Sequence, residues 1–156
     1  MKTEFVIVDI DGTVADLRHR LHFIQGEKKD WDAFYSHAGE DSPIESVISV
    51  INSLAISGCQ LVFVTGRPDR IYYPTVDWLE RYLPPTGTMI KKPLMFFRKN
   101  GDFRPDTVVK KEIYENKLKA VGITPENTVV FEDRSGVVYM WRTLGFTCFQ
   151  VADGDY

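Results

Sequence analysis

The sequence predicts a three-layer α/β fold with a central, mostly parallel sheet and a small helical cap insert after the first strand. Short apolar runs at Phe5–Val8, Leu61–Val64, Val129–Phe131 and Phe146–Val151 are bounded by turn residues, and longer segments between them keep helical periodicity. The runs are continuously apolar rather than alternating, as strands covered on both faces are. Strand and helix follow one another in order, so the ligand site belongs beyond the carboxyl ends of the strands.

The first strand, Phe5–Val8, runs straight into Asp9 and Asp11. Residues 14–41 are polar and aromatic, hold His19, His22 and His37, and fit one or two short helices over the strand ends. Ser42-Pro43-Ile44-Glu45 reads as a capping box with proline at the first helical position. Behind it Ile44, Val47, Ile48, Ile51, Leu54 and Ala55 make one apolar face, and Gly58 supplies the stop. After the strand at Leu61–Val64, a helix is expected from Asp69 or Arg70 to Leu83, in which Pro74 either sits in the first turn or makes a kink. Residues 84–101 mix turn residues and cations around Leu94–Phe97, a strand with a basic rim. Further helices are expected from Asp106 to Val121, before Gly122, and from about Gly136 to Leu144.

At 156 residues and 44% hydrophobic content the chain suits one domain, residues 1–156, with 14–41 as the cap insert. A net charge of -3 excludes a protein that coats nucleic acid by bulk electrostatics. Cys59 and Cys148 lie in apolar strand-like runs, so buried free thiols and a reducing cytoplasm are expected. No apolar run reaches the roughly 20 residues of a membrane span, and the amino-terminal run ends in acids, unlike a signal peptide. A soluble cytoplasmic protein follows, with homo-oligomerisation left open.

Two carboxylates one residue apart at the end of a buried strand need a reason. At about 4 Å they repel by roughly 4 kcal/mol at an effective dielectric of about 20. A divalent cation supplies the counter-charge, and Asp133, which ends the run from Val129, is the natural third carboxylate of an oxygen-only site of the kind Mg²⁺ accepts. With the cluster neutralised, one aspartate can attack phosphorus to give an aspartyl-phosphate while its neighbour protonates the leaving oxygen and later activates water. Gly12 lets the backbone approach a phosphate, and Thr13 can cap the turn. Thr65 can bond a phosphoryl oxygen, and Lys110 can stabilise developing charge.

Each residue also has a plainer reading. Asp9-Ile10-Asp11-Gly12 can be an acidic turn, Thr65-Gly66 a simple turn, Lys110 a solvated helix lysine with Lys111 beside it, and Asp106 a helix N-cap. Arg20 can share a solvated face with Arg18. Trp31, Phe34 and Tyr35 suit either base stacking or a small aromatic core. The histidines lack zinc-ligand spacing with cysteine, which points to surface or substrate-rim roles.

Taken together, Asp9-Ile10-Asp11-Gly12-Thr13, Thr65-Gly66-Arg67, Lys110 and Glu132-Asp133 resemble, in order, the four motifs of the haloacid dehalogenase superfamily of Mg²⁺-dependent phosphatases, whose fold is Rossmann-like. The resemblance implies Asp9 as nucleophile and Asp11 as general acid/base. It implies that Mg²⁺ is held by Asp9, the Asp11 backbone carbonyl and Asp133, with Glu132 behind them. Gly101–Lys110, Glu132–Arg142 and Gln150–Tyr156 look like the 3′-phosphatase domain of bacteriophage polynucleotide kinase. That likeness implies a phosphate clamp by Arg20 and Arg67, with Gly66 in the same turn, and an Asp106 that orients Lys110 one helical turn on. The sequence has no Gly-x-x-x-x-Gly-Lys-Ser/Thr loop, so only the phosphatase activity carries over, on a phosphorylated nucleotide or nucleic-acid end; a separate kinase or ligase is compatible with it. Two other readings use similar residues: a 5′(3′)-deoxyribonucleotidase acting on free nucleotides, and a non-catalytic phospho-accepting receiver. In a receiver the phosphorylated aspartate ends a later strand, whereas Leu61–Val64 ends in Thr65.

Overall fold

The computed structural model describes residues 2–83 and 91–156. Its chain enters at β1 (Phe5–Val8), passes β2 (Ala15–Asp16), a 3₁₀ turn at Arg18–Phe23 and α1 (Trp31–Ser36), and reaches β3 (Ser42–Pro43) and α2 (Glu45–Ile56). There follow β4 (Gln60–Pro68), α3 (Tyr72–Tyr82), β5 (Leu94–Arg98), α4 (Asp106–Ile113), β6 (Thr128–Glu132), α5 (Ser135–Thr143) and β7 (Thr147–Gln150). The central sheet has the order β5-β4-β1-β6-β7, and every pairing in it is parallel.

Parallel strands need crossovers, and here those crossovers cover both faces. Val6, Val8, Leu61 and Phe63 point to α2 and α3, where Ile51 and Trp78 are fully buried. Ile7, Val62, Val64 and Val130 point the other way, to Val109, Val138 and Trp141 of α4 and α5. Alternate residues of one strand thus serve two cores, which is why β1 is apolar throughout. After β1 the chain builds outward through β4 and β5, then returns to the opposite side as β6. The two sets of connections diverge between β1 and β6, and the crevice they leave lies past the carboxyl ends of those strands. Asp9 follows β1 and Asp133 follows β6, so both stand at that crevice.

Several boundaries differ from the sequence expectation. Ser42-Pro43 is not a capping box: the pair forms β3, antiparallel to Ala15–Asp16, and α2 starts at Glu45 behind Ile44, which offers no capping side chain. The pairing closes the base of segment 14–41, and that tertiary contact overrides the local cap signal. β4 runs past Thr65 to Pro68 through a shift in register against β5, so Thr65 lies within the strand. The expected helix from Asp106 to Val121 is a continuous helical path, with a wide π turn at Tyr114–Leu118 and a 3₁₀ turn at Lys119–Val121, stopped by Gly122 at φ 84°. Pro74 lies in the first turn of α3. Residues 84–90 of the expected basic-rim segment lie outside the described residues. Cys59 and Cys148 are buried free thiols. Among the described residues no helix is long and apolar enough to cross a membrane.

Candidate active site

Two charge clusters meet at the crevice. The first is built around Asp9, Glu132 and Asp133, whose carboxylate oxygens lie within 4.8 Å of one another and which are all buried. Lys110 reaches in from α4: its Nζ donates to Asp9 Oδ1 at 2.6 Å and to Glu132 Oε2 at 2.7 Å. Val109 and Ile113 anchor the same helix in the core, so a side chain that would normally be solvated is 1% exposed. Burial disfavours the ammonium, yet the Asp9 and Glu132 carboxylates outweigh it and raise the Lys110 pKa. The Thr13 hydroxyl lies 3.4 Å from Asp9 Oδ2 and 3.3 Å from Asp133 Oδ1, bridging the carboxylates rather than capping the turn.

Three carboxylates around one ammonium leave two negative charges in excess. Burial and the Glu132 charge push the Asp9 pKa well above the ordinary carboxylate value, with Lys110 offsetting part of the shift. The same two causes bring Asp133 up to about 7. Asp133 Oδ2 is buried and has no hydrogen-bond partner among the described residues. An all-oxygen set with an unpartnered buried oxygen and an excess of two negative charges fits a hard divalent cation.

Backbone geometry crowds that oxygen. Gly12 has φ 81°, and a Cβ there would fall 2.1 Å from Asp133 Oδ2. A Cβ on Gly154 would fall 2.0 Å from the same atom. The segment after β7 is hooked over Asp133: Gly154 N donates to the Asp133 carbonyl at 3.3 Å, Ser135 Oγ to Asp155 Oδ2 at 2.9 Å, and the Tyr156 hydroxyl to the Asp11 carbonyl at 3.3 Å. A Gly154→Ala substitution therefore must displace the Asp133 carboxylate by an ångström or so. Turnover is expected to fall about 100-fold while the far-ultraviolet circular dichroism stays unchanged; wild-type turnover in this variant would show that the segment swings clear of the site.

The second cluster holds Asp11. Its Oδ1 accepts from Arg20 Nη2 at 2.6 Å and from Arg67 Nη2 at 2.6 Å and Nε at 3.0 Å. Both arginines also bind Asp41 Oδ2, at 2.6 and 2.9 Å, and Arg20 Nε reaches Asp41 Oδ1 at 2.7 Å. His19 Nε2 touches Asp41 at 2.8 Å, and Trp78 Nε1 donates to its backbone carbonyl. Burial pushes the Asp11 carboxyl up, but the two guanidiniums outweigh it and bring its pKa down to about 2. The Asp11 side chain thus sits in the arginine cluster, while its backbone carbonyl accepts from the Tyr156 hydroxyl.

Of the remaining predicted residues, Thr65 is buried and its hydroxyl accepts from Arg67 N at 3.1 Å. Gly66 faces Asp106, whose Oδ1 would lie 2.8 Å from a Cβ. Asp106 makes no hydrogen bond to Lys110; its carboxylate pairs with Arg98 and with Arg134 at 3.0 Å. Arg98 also donates to the Gly66 carbonyl at 2.9 Å, bracing the turn after Thr65. Asp41, Arg98 and Arg134 escaped the sequence reading. The usable signal for Asp41 was that two arginines aimed at a buried site need more than one carboxylate.

The model of the polynucleotide kinase PNKP phosphatase domain matches residues 3–156 of this sequence. The chain belongs to that family. It is a phosphatase domain of the haloacid dehalogenase type, in place of the receiver that similar residues could have built. A protein of Autographa californica nuclear polyhedrosis virus, described as a bifunctional polynucleotide kinase/RNA ligase, is 30% identical over 143 residues, which cover 89% of this chain and 18% of the viral protein. A chain of the Pnkp1/Rnl/Hen1 complex superposes with a TM-score of 0.74 at 27% identity, over 99% of this chain and 48% of that one. The chain thus spans less than half the length of these relatives. A haloacid dehalogenase-like hydrolase of Streptococcus pneumoniae shares the fold, at TM-score 0.64 and 13% identity over 95% of this chain and 84% of its own.

Proposed function

We propose that this chain is a Mg²⁺-dependent phosphomonoesterase that removes 3′-phosphates from nucleic-acid ends through an aspartyl-phosphate on Asp9. The observation that carries the reading is the pairing of the two clusters: a carboxylate, Asp9, held in place by Lys110, and a second carboxylate, Asp11, held down by two arginines at the same crevice. Asp9, Asp133 and the Asp11 carbonyl would hold the cation, which offsets the cluster's excess charge and that of the incoming phosphate. Lys110 fixes Asp9 Oδ1 and leaves Oδ2 to attack phosphorus. The new bond is Asp9 O–P; the bond that breaks joins phosphorus to the 3′ oxygen, which takes a proton from Asp11.

That proton has to be available, and the free site keeps Asp11 ionised. Arg20 and Arg67 resolve the conflict. When the phosphate oxygens recruit the two guanidiniums, the forces that hold Asp11 near 2 are withdrawn and burial raises its pKa. Substrate binding thereby prepares the acid, which later takes a proton from the water that hydrolyses Asp9–phosphate. Segment 14–41 acts as a small cap that supplies Arg20 and Asp41 and leaves room for a polymer end. The kinase/ligase description of the viral relative and the repair complex around the structural one support a nucleic-acid substrate and a kinase or ligase working alongside this domain, in the same polypeptide or in a partner.

The direct test is hydrolysis of a 3′-phosphorylated oligonucleotide beside a 3′-mononucleotide and a 5′-mononucleotide. Release of phosphate from the oligonucleotide with Mg²⁺, abolished by a chelator and restored by Mg²⁺, is the expected result. Faster turnover of free mononucleotides would make the enzyme a nucleotidase, and activity unaffected by chelation would remove the cation from the mechanism.

A further inference from the structure

Beside the arginine cluster stands a set of aromatic side chains that the proposed chemistry does not use. The three aromatics of α1 divide by environment. Phe34 is buried, with the Arg20 guanidinium 4.2 Å from its ring centroid and donating to its carbonyl. Trp31 is 39% exposed, and Tyr35 is half-buried. Their rings stack at 6.0 Å and 24°, and each lies edge-on to Phe34. A cation stands at each end of the stack: Lys29 Nζ is 5.8 Å from the Trp31 centroid and the Arg70 guanidinium 5.8 Å from that of Tyr35.

This stack is rigidly tied to the site. Phe34 rests on Arg20, and Arg20 bonds Asp11. On the other side Arg70 follows Arg67 by three residues, in the turn after β4. The Tyr35 hydroxyl feels the Asp11 and Asp106 carboxylates and, with burial, is pushed up to about 12, so it stays protonated at the edge of the crevice. Arg70 pairs with Asp32, a carboxylate 92% exposed, so the pair is well screened and easily exchanged for another anion.

Resting on the reading of a 3′-phosphatase, we infer that the Trp31–Tyr35 stack is the platform on which a base of a single-stranded nucleic-acid end lies while its phosphate reaches Asp9. Flat aromatic faces bind any base, and flanking cations hold the backbone phosphates on either side of it. What sets Trp31 apart is that its exposed ring is stacked on Tyr35 with a cation at each end of the pair, whereas Trp78 and Trp141 are buried at 0% and 1% exposure. Because those two tryptophans are sequestered, Trp31 reports on the platform by fluorescence.

The experiment has two arms. In the first, an oligonucleotide ending in a 3′-hydroxyl, which cannot turn over, is titrated into the protein. It should quench the wild-type tryptophan emission, and Trp31→Phe should abolish the quench. In the second, Trp31→Ala should raise KM for a 3′-phosphorylated oligonucleotide about tenfold with kcat unchanged. The same oligonucleotide with an abasic site before its 3′-phosphate should bind wild type and variant alike. A quench that survives in Trp31→Phe, or an equal KM change on the abasic substrate, would overturn the platform. Quenching without hydrolysis by wild type would sink the phosphatase reading and leave the platform standing.

Discussion

Asp9→Asn is expected to abolish phosphate release, by on the order of 10⁵-fold or more, because the amide cannot form the covalent intermediate and nothing nearby replaces it. Glu132 is committed to Lys110 at 2.7 Å, and Asp133 is walled in by Gly12 and Gly154. The same substitution should stabilise the fold in the presence of a chelator. In the native protein the Asp9 pKa is raised above its ordinary 3.8 by burial and by the Glu132 and Asp133 charges. The folded state therefore holds its proton more tightly than the unfolded chain does, and Asp9 subtracts stability as pH rises above that ordinary value. An asparagine carries no such cost and still accepts from Lys110. A gain of about 1 kcal/mol corresponds to a Tm increase of about 3 °C for a chain of this size. Added Mg²⁺ should raise the wild-type Tm more than the variant's, since one ligand charge is gone. Retained turnover would eliminate Asp9 as nucleophile; a lower Tm in chelator would mean that the native cluster is relaxed without a cation.

The part of this site that could be read from sequence is the part in which local pattern and global position coincide. The apolar run before Asp9 is a strand because only a doubly covered strand is apolar at every position, and the strand's end fixes where the carboxylate goes. The same logic placed Asp133 behind Val129–Phe131. Lys110 reads on its own as a solvated helix lysine, and only its place in the order of motifs singled it out from Lys111 beside it. Reading failed where a residue's meaning depends on distant partners. Asp41, in Gly39-Glu40-Asp41-Ser42, looks like part of a polar turn, and its arginines stand 21 and 26 residues away. Ser42-Pro43 satisfies every local rule for a helix start, yet pairing with Ala15–Asp16 takes it for a strand. Asp106 occupies the first turn of its helix, and the Arg98 that claims it comes from the end of the neighbouring strand. The contact of Tyr156 with the Asp11 carbonyl spans 145 positions and has no local signature.

Asp41→Ala is where the missed half of the site should be felt most in stability. The Arg20 and Arg67 side chains are both 0% exposed, and Asp41 and Asp11 together neutralise them. Removing Asp41 leaves two buried guanidiniums on one carboxylate, and losing one partner of a buried ion pair costs roughly 3–5 kcal/mol because the survivor stays desolvated. A Tm drop of about 10 °C follows for a chain of this length. The Trp78 hydrogen bond goes to the Asp41 backbone and survives the change, so the loss measures the charge network itself. Asp41→Asn keeps the acceptor oxygens partly in place without the charge and should fall between wild type and alanine. Function should change with stability: freed of Asp41, both arginines turn wholly onto Asp11 and hold it ionised more firmly. The phosphate then has to compete harder for them, so KM should rise and the acid should be less available at neutral pH. A melting curve of Asp41→Ala within a couple of degrees of wild type would mean that water reaches the arginines, and the hand-over of guanidiniums from Asp11 to phosphate would lose its basis.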